Sequence, residues 1–498
     1  MNPAAKEKRG NVHLFEKFGK FFAFDPGSGV FSELDKTAWR MAVEIGAGRT
    51  LEEARRGMAA TLDEGIVDEA AAEIRGLIDQ EILFSPDPWT RRKVPENSSL
   101  SSLCLMLAED CNLRCDYCFV TGGKPKRTGR RMTADTARAA VDFLLARAGG
   151  MKSLHLSFFG GEPLLNFPVL AETTRYALQR AKEEGKSFQF NITTNGAIFN
   201  DAILDFLAAH PDVSLLVSLD GGAEIHDRHR RFFDGKGSFE VASSTLRTLL
   251  ADDRIGPKRL SVRGTFTAVN RTFTRAAEEL LALGAKDISV EPAIVKGGEL
   301  EITAEDLPAI KEEYDRLAQF FLERIRSGDA FSFFHFDRAM DQISLADPVV
   351  KPCGAGDGYL AVSYDGSLFP CHRFVGDKAF RMGDVWRGII NRGLRDRFRK
   401  IEVNGKEKCR ECWAKYLCGG GCHRHAAEFN GSLLEPYDIE CELVKWRIEV
   451  AAYLYAELTE EDRKAIHAGF SEHPRPEFIG YLNQSPLSHQ NLPYNHPS

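Results

Sequence analysis

The chain has 498 residues, 43 % of them hydrophobic and 28 % charged, with a net charge of −7. That length holds two to four domains of roughly 100–200 residues, and the mild negative charge offers no general attraction to nucleic acid or anionic lipid. The start, MNPAAKEKRG, is polar and no uninterrupted run of about 18 apolar residues follows, so neither a signal peptide nor a membrane span is expected and the chain reads as cytoplasmic.

Residues 1–95 read as a separate module. VHLFEKFGKFFAFDPGSGVFSEL is rich in aromatics and is broken by Gly19 and by the run Asp25-Pro26-Gly27-Ser28-Gly29, which predicts a small antiparallel sheet. Apolar residues recurring at three and four predict helices over 35–46, 50–62 and 66–83. A sheet this small is marginal alone, and strands followed by helices suggest a winged-helix-like α+β unit. SPDPWTRRKVPENSS, 85–99, with three prolines, is the candidate linker.

Over 96–335 strand and helix alternate. Apolar runs fall at 102–108, 154–159, 188–193, 213–219, 260–267 and 288–294, with helical patterns at 134–147, 168–184, 200–209, 238–251 and 271–283. Six such units predict an α/β fold with a parallel sheet and right-handed crossovers, a partial (β/α)6 TIM-like barrel. Chemistry in such folds sits at the C-terminal ends of strands. From 336 to 460 patterning weakens while cysteine and glycine increase; helices are expected at 441–457 and near 459–467. The remainder of the 461–498 extension, from about 473, is expected to lie extended.

Eleven cysteines fall in two clusters separated by more than 230 residues. Without an export signal they are expected to stay reduced, and clustered reduced thiols point to metal. CNLRCDYCF supplies Cys111, Cys115 and Cys118 directly after the first barrel strand. Three thiolates suit a [4Fe–4S] cube with one iron left open; structural zinc, the competing reading, takes four ligands in a closed tetrahedron. Cys104, on an apolar strand, reads as a buried small hydrophobe.

CNLRCDYCF resembles the CxxxCxxC signature of the radical S-adenosylmethionine superfamily. That resemblance implies an open iron chelating the methionine moiety of S-adenosyl-L-methionine, and a 5′-deoxyadenosyl radical as the hydrogen-abstracting agent. FFGGEP, 158–163, resembles the family's GGE motif, with Gly160 and Gly161 allowing close backbone approach and Glu162 accepting from the cofactor's amino group. TTNG and SLDGGAEIHDRHR resemble segments ending the next strands. They place Asn195, Ser218, Asp220 and Arg230 as cofactor contacts, Arg230 towards the carboxylate, unless Asp220 and Arg230 simply pair with each other. Tyr117 and Phe119 are candidates to flank the adenine or to shield the cluster. Asp220, Glu291 and His335 are candidate bases by placement.

The second cluster, including GSLFPC at 366–371, resembles the SPASM domain. The resemblance implies a farther [4Fe–4S] cluster on Cys409, Cys412, Cys418 and Cys441 and a nearer one on Cys353, Cys371 and Cys422, three clusters in all. Full members have an eighth cysteine; the loop GAGDGYLAVSYDGSLFP has none, leaving Asp357, Asp365, water or substrate for the nearer cluster's open iron. The N-terminal module resembles the PqqD-like element by which many SPASM maturases capture a leader peptide through strand addition, with VHLFEKFG or the helix from Asp35 lining the groove. The implied activity is peptide maturation, a cysteine-derived thioether first, with flavodoxin or ferredoxin as electron donor. Quinohemoprotein amine dehydrogenase-type or sulfatase-type maturation and carbon–carbon crosslinking are the enzymatic alternatives. A zinc-stabilised peptide-binding scaffold is the non-enzymatic one.

Overall fold

The computed structural model describes residues 11–91, 99–120, 128–256, 259–346 and 348–468. The expectations for residues 1–10, for linker positions 92–98 and for the segment beyond 473 lie outside the described residues.

Strands β1 (His13–Lys17), β2 (Lys20–Asp25) and β3 (Val30–Leu34) form an antiparallel sheet in that order. Helices Lys36–Gly46, Leu51–Ala59 and Glu64–Asp79 follow. Each start is chemically marked: Asp35 accepts from the amides of Thr37 and Ala38, Thr50 and Glu53 form a capping box, and Asp63 caps the third helix. One sheet face closes over Met41, Ile45, Val67 and Ile74.

The other face is committed to the rest of the chain. His13 stacks on Trp413 at 3.8 Å and meets Glu449 at 2.8 Å, Lys17 pairs with Asp315 at 2.5 Å, and Phe24 packs with Ala414, Leu417 and Ile448. The VHLFEKFG strand therefore turns alternate side chains into the protein's own body rather than into an open groove, a correction to one of the two expected groove walls. The start of the linker is also anchored: Asp87 accepts from Lys415 Nζ at 2.7 Å and from the Tyr416 hydroxyl at 2.9 Å.

Six parallel strands form the centre of the main sheet: β4 (Ser102–Ala108), β5 (Ser153–Gly160), β6 (Ser187–Thr194), β7 (Val213–Ser218), β8 (Leu260–Phe266) and β9 (Asp287–Pro292). All six predicted strands are present within two residues at either end. The short β10 (Ser332–Phe333) extends the β9 edge. At the opposite edge β11 (Tyr359–Val362) pairs parallel to β4. Beyond it β12 (Ser367–Phe369), β13 (Gly383–Asp384) and β14 (Gly388–Ile389) run antiparallel. One sheet thus passes from the barrel into the cysteine-rich region, and a boundary at 335 falls within the helix Phe334–Leu345.

Strand alternation separates the two faces of this sheet. Leu105, Leu156, Phe190, Leu215, Val262 and Val290 belong to the core beneath the helices. The opposite face carries Ser157, Asn191, Ser218, Arg263, Thr265 and Glu291, aligned by the strand register. Barrel interiors are usually filled by branched apolar side chains; this one is lined with groups that can hold polar substrate. Among the helices absent from the sequence expectations are Ala223–His229, Leu307–Arg326, Phe334–Leu345 and Arg392–Lys400, and Leu307–Arg326 packs on Asp438–Glu457.

Candidate active site

Cys111, Cys115 and Cys118 occupy the loop that leaves β4, at the C-terminal end expected for chemistry. Backbone contacts tie this loop to the segment after helix Ala223–His229: Arg114 N donates to Arg231 O at 2.7 Å and Asp116 N to His229 O at 3.3 Å. The Cys111 sulfur accepts from Leu113 N at 3.3 Å and Asn195 Nδ2 at 3.5 Å.

Tyr117, Asp220 and Arg230 converge on one another. Asp220, fully buried, accepts from the Tyr117 hydroxyl at 2.5 Å, Arg230 Nε at 2.9 Å and Thr265 N at 3.0 Å. The Arg230 guanidinium lies over the Tyr117 ring at 5.5 Å. The mutual pairing weighed from the sequence is thus the arrangement found. With three donors on its two oxygens, Asp220 is placed to fix the loop carrying the cysteines rather than to take a proton. Phe119 projects the other way and is 41 % exposed, its ring 5.8 Å from His372 and under the Arg373 guanidinium at 4.7 Å. Ser218 ends β7 in register with Arg263.

The GGE segment closes the other side. A Cβ on Gly160 would lie 2.3 Å from Ala108 O and one on Gly161 2.2 Å from Asp110 O. The glycines are therefore required by the approach of β5 to the start of the cysteine loop, a reason independent of any bound molecule. Gly161→Ala is expected to displace that loop at a cost of about 1–3 kcal/mol. Equilibrium binding of S-adenosylmethionine should weaken while iron held by the second cysteine cluster is unchanged. Glu162 is fully buried and accepts from Leu164 N at 3.0 Å, Thr194 Oγ1 at 2.8 Å and Asn195 N at 2.8 Å; burial nevertheless pushes its carboxyl up to about 7. Thr194 was missed from the sequence although it lies in the quoted TTNG.

His226, also fully buried, accepts from Asp220 N at 3.3 Å and bonds Ser238 at 2.9 Å. Burial, reinforced by Arg230, lowers it from 6.5 to about 4. The neutral ring is the form that accepts, so its contribution is complete above pH 6.5 and is lost as pH falls through 4, about 3 kcal/mol in all. In thermal unfolding followed from pH 7 to 4, His226→Asn, which keeps an acceptor but cannot titrate, is expected to lose less stability than the parent.

Glu291 ends β9 and accepts from His335 Nε2 at 2.8 Å. Against burial, which would raise it, His335, Arg263 and Arg447 hold Glu291 well below the usual carboxylate range. A carboxylate so stabilised is a weak base, and Glu291 is placed to orient the His335 ring.

The second cysteine cluster brings several thiols near one another. Cys371 lies within electrostatic reach of Cys422 and Cys353, while Cys441 lies near Cys418 and Cys409, and Cys409 near Cys412. Asp357 is engaged elsewhere, 3.3 Å from Lys351 Nζ and 3.2 Å from Arg399 Nε, and Asp365 is exposed in the β11–β12 turn. Neither is placed as a fourth ligand of the nearer set. Cys104 is buried beside Met106, Tyr359 and Ala361, in the surroundings expected for a small apolar residue. Sequence reasoning also missed Lys406, fully buried and donating to Gly420 O at 2.5 Å, and His425, linked to Glu440 at 2.9 Å and Arg373 at 2.7 Å. The CHRH run after Cys422 was the available signal for His425.

The donor set suits iron–sulfur clusters. Burial pushes Cys111, Cys115, Cys353 and Cys441 up to about 12 and Cys418 to about 11. Such thiols ionise at neutral pH only when a metal takes them. Among the described residues no three His, Cys, Asp or Glu side chains converge as ligands of one ion; a cluster, whose thiolates go to different irons, does not require that convergence. Also among the described residues, no helix is long and apolar enough to cross a membrane.

Residues 106–252 match the family described as the Radical SAM superfamily, and 353–413 match SPASM, an iron–sulfur cluster-binding domain. A cysteine-type anaerobic sulfatase-maturating enzyme of Clostridium perfringens is 25 % identical over 348 residues, 68 % of this chain and 92 % of its own. An AdoMet-dependent heme synthase of Methanosarcina barkeri is 29 % identical over 67 % of this chain and 94 % of its own. Among solved structures, anSMEcpe with bound AdoMet superposes with a TM-score of 0.62 at 21 % identity, covering 75 % of this chain and 100 % of that one. Streptococcus suis SuiB bound to S-adenosylmethionine gives 0.51 at 16 %, covering 86 % of this chain and 98 % of that one. At these identities the structural likeness speaks for the fold.

Proposed function

We propose that this chain, whose residues 106–252 and 353–413 match the Radical SAM superfamily and the SPASM iron–sulfur cluster-binding domain, is a maturase that removes a hydrogen atom from a ribosomally made peptide and closes a thioether from a peptide cysteine to the activated carbon. The observation that supports this reading is that Cys371 lies within electrostatic reach of Cys353 and Cys422, while Asp357 is paired with Lys351 and Arg399 and Asp365 is exposed. A peptide thiolate is the donor whose softness matches such a set.

Cys111, Cys115 and Cys118 would hold the first cluster, and Cys409, Cys412, Cys418 and Cys441 the farther of two auxiliary clusters. When bound, the first cluster with S-adenosylmethionine supplies a carbon-centred radical strong enough to break an unactivated C–H bond. The protein's share is placement. Asp220 holds Tyr117 and Arg230 and so sets the loop bearing Cys115; Glu162, Thr194 and Asn195 form its polar wall; Ser218 and Thr265 continue that wall along the inner sheet face. His335, oriented by Glu291, takes the proton released when the substrate is oxidised. The N-terminal sheet would receive a leader peptide along β3, an edge strand that pairs with β2.

Incubation with S-adenosylmethionine, a reductant and the precursor peptide encoded beside the gene is expected to give a product lighter by two hydrogens with one cysteine hidden from alkylation. The same mass with every thiol alkylated would instead indicate a carbon–carbon crosslink. The likeness to a sulfatase-maturating enzyme favours oxidation of a single side chain as the second reading, and its product would be an aldehyde trapped by hydrazine.

A further inference from the structure

A chain with net charge −7 carries, between Lys378 and Lys400, eight basic residues and two acidic ones. This stretch comprises the β13–β14 hairpin and the helix Arg392–Lys400. Arg381, Arg392, Arg397 and Lys400 are exposed, and two large apolar side chains stand with them, Trp386 at 61 % exposure and Ile390 at 56 %. Exposed tryptophan among arginines is the composition of an interface centre; basic residues around it select an acidic partner and speed its approach.

The buried side of the same helix shows what such a partner would reach. Phe398 packs edge-on to Phe374 at 5.6 Å and to His423 at 5.5 Å, and its Cβ lies 2.5 Å from where a Cβ on Gly356 would stand. These three neighbours lie three residues or fewer from Cys371, Cys422 and Cys353. The helix is therefore the cover of the three-thiol set, basic outside and joined through one aromatic ring to all three cysteine loops. Arg399 fixes it from below through buried Asp357.

We propose that this face docks a small acidic one-electron carrier protein, which exchanges one electron with the nearer auxiliary site. The inference rests on the reading of Cys353, Cys371 and Cys422 as cluster ligands. On docking, the reduced carrier is oxidised by one electron and the auxiliary site reduced by one, with no atom transferred. In the opposite sense the oxidised carrier removes the electron left by the substrate.

The test uses the full-length, iron–sulfur-reconstituted protein with Cys111, Cys115 and Cys118 changed to Ala, so that only the second cysteine cluster carries iron. This protein is mixed anaerobically with flavodoxin hydroquinone in a stopped-flow instrument. The flavodoxin should be oxidised to its semiquinone at a rate that falls steeply with salt. Adding Arg392→Glu, Arg397→Glu and Lys400→Glu should slow it about tenfold or more at low salt, and Trp386→Ala should slow it without changing the salt dependence. Dithionite, a small reductant, should reduce all variants alike, which separates docking from misfolding; if the triple reversal loses iron, Arg392→Gln with Arg397→Gln serves in its place. An unchanged flavodoxin rate in an iron-replete variant would overturn the docking proposal alone. A parent protein that binds no iron at Cys353–Cys441 would overturn the proposed function, and this proposal with it.

Discussion

Asp220→Ala is expected to cost about 3–5 kcal/mol, because it strands the guanidinium of Arg230, which is 8 % exposed, without its counter-charge. The same substitution removes the acceptor from the Tyr117 hydroxyl and from Thr265 N. Tyr117 sits between Cys115 and Cys118, so loss of its anchor reaches the cluster ligands directly. Cleavage of S-adenosylmethionine should fall about 10–100-fold, the usual effect of losing a group that orients metal ligands. The double variant Asp220→Leu/Arg230→Met separates the two consequences. Removing both charges should restore most of the thermal stability, while cleavage stays low because the loop remains unanchored. Recovery of both would mean that the pair only neutralises itself.

Cys115→Ala is expected to abolish S-adenosylmethionine cleavage while leaving the second cysteine cluster intact. Iron should drop by about four atoms per chain, and the remaining iron should give the spectrum of the auxiliary sites alone. The reason is separation in the fold. Cys115 lies on the loop leaving β4, tied to 229–231, whereas the four-thiol set is built from the 409–418 segment and the helix Asp438–Glu457 and is braced by Lys406 and the linker residue Asp87. A matching loss from Cys418→Ala would show that the two regions assemble as one unit.

Local signals in the sequence were enough to find the barrel strands and to nominate the candidate ligands. The six barrel strands are short apolar runs bounded by turn residues, and the ten candidate cysteine ligands announce themselves by spacing. Pairings across the fold were not legible. Tyr117 with Asp220 spans 103 residues and Glu291 with His335 spans 44; no periodicity encodes either. The VHLFEKFG strand reads as an amphipathic edge, and only the positions of Trp413, Asp315 and Glu449 reveal that its second face is already covered. Asp357 looked like a spare ligand for the same reason: Lys351 and Arg399, which claim it, come together only in the folded chain. The glycines of GGE were correctly singled out for close approach, but that approach is to the backbone of Ala108 and Asp110.

The most direct measurement is the metal and S-adenosylmethionine chemistry of the anaerobically purified full-length protein. A brown protein with broad absorbance near roughly 400 nm, converting S-adenosylmethionine to 5′-deoxyadenosine on reduction, is the expected result. A colourless protein holding zinc in place of iron and leaving S-adenosylmethionine intact would contradict it.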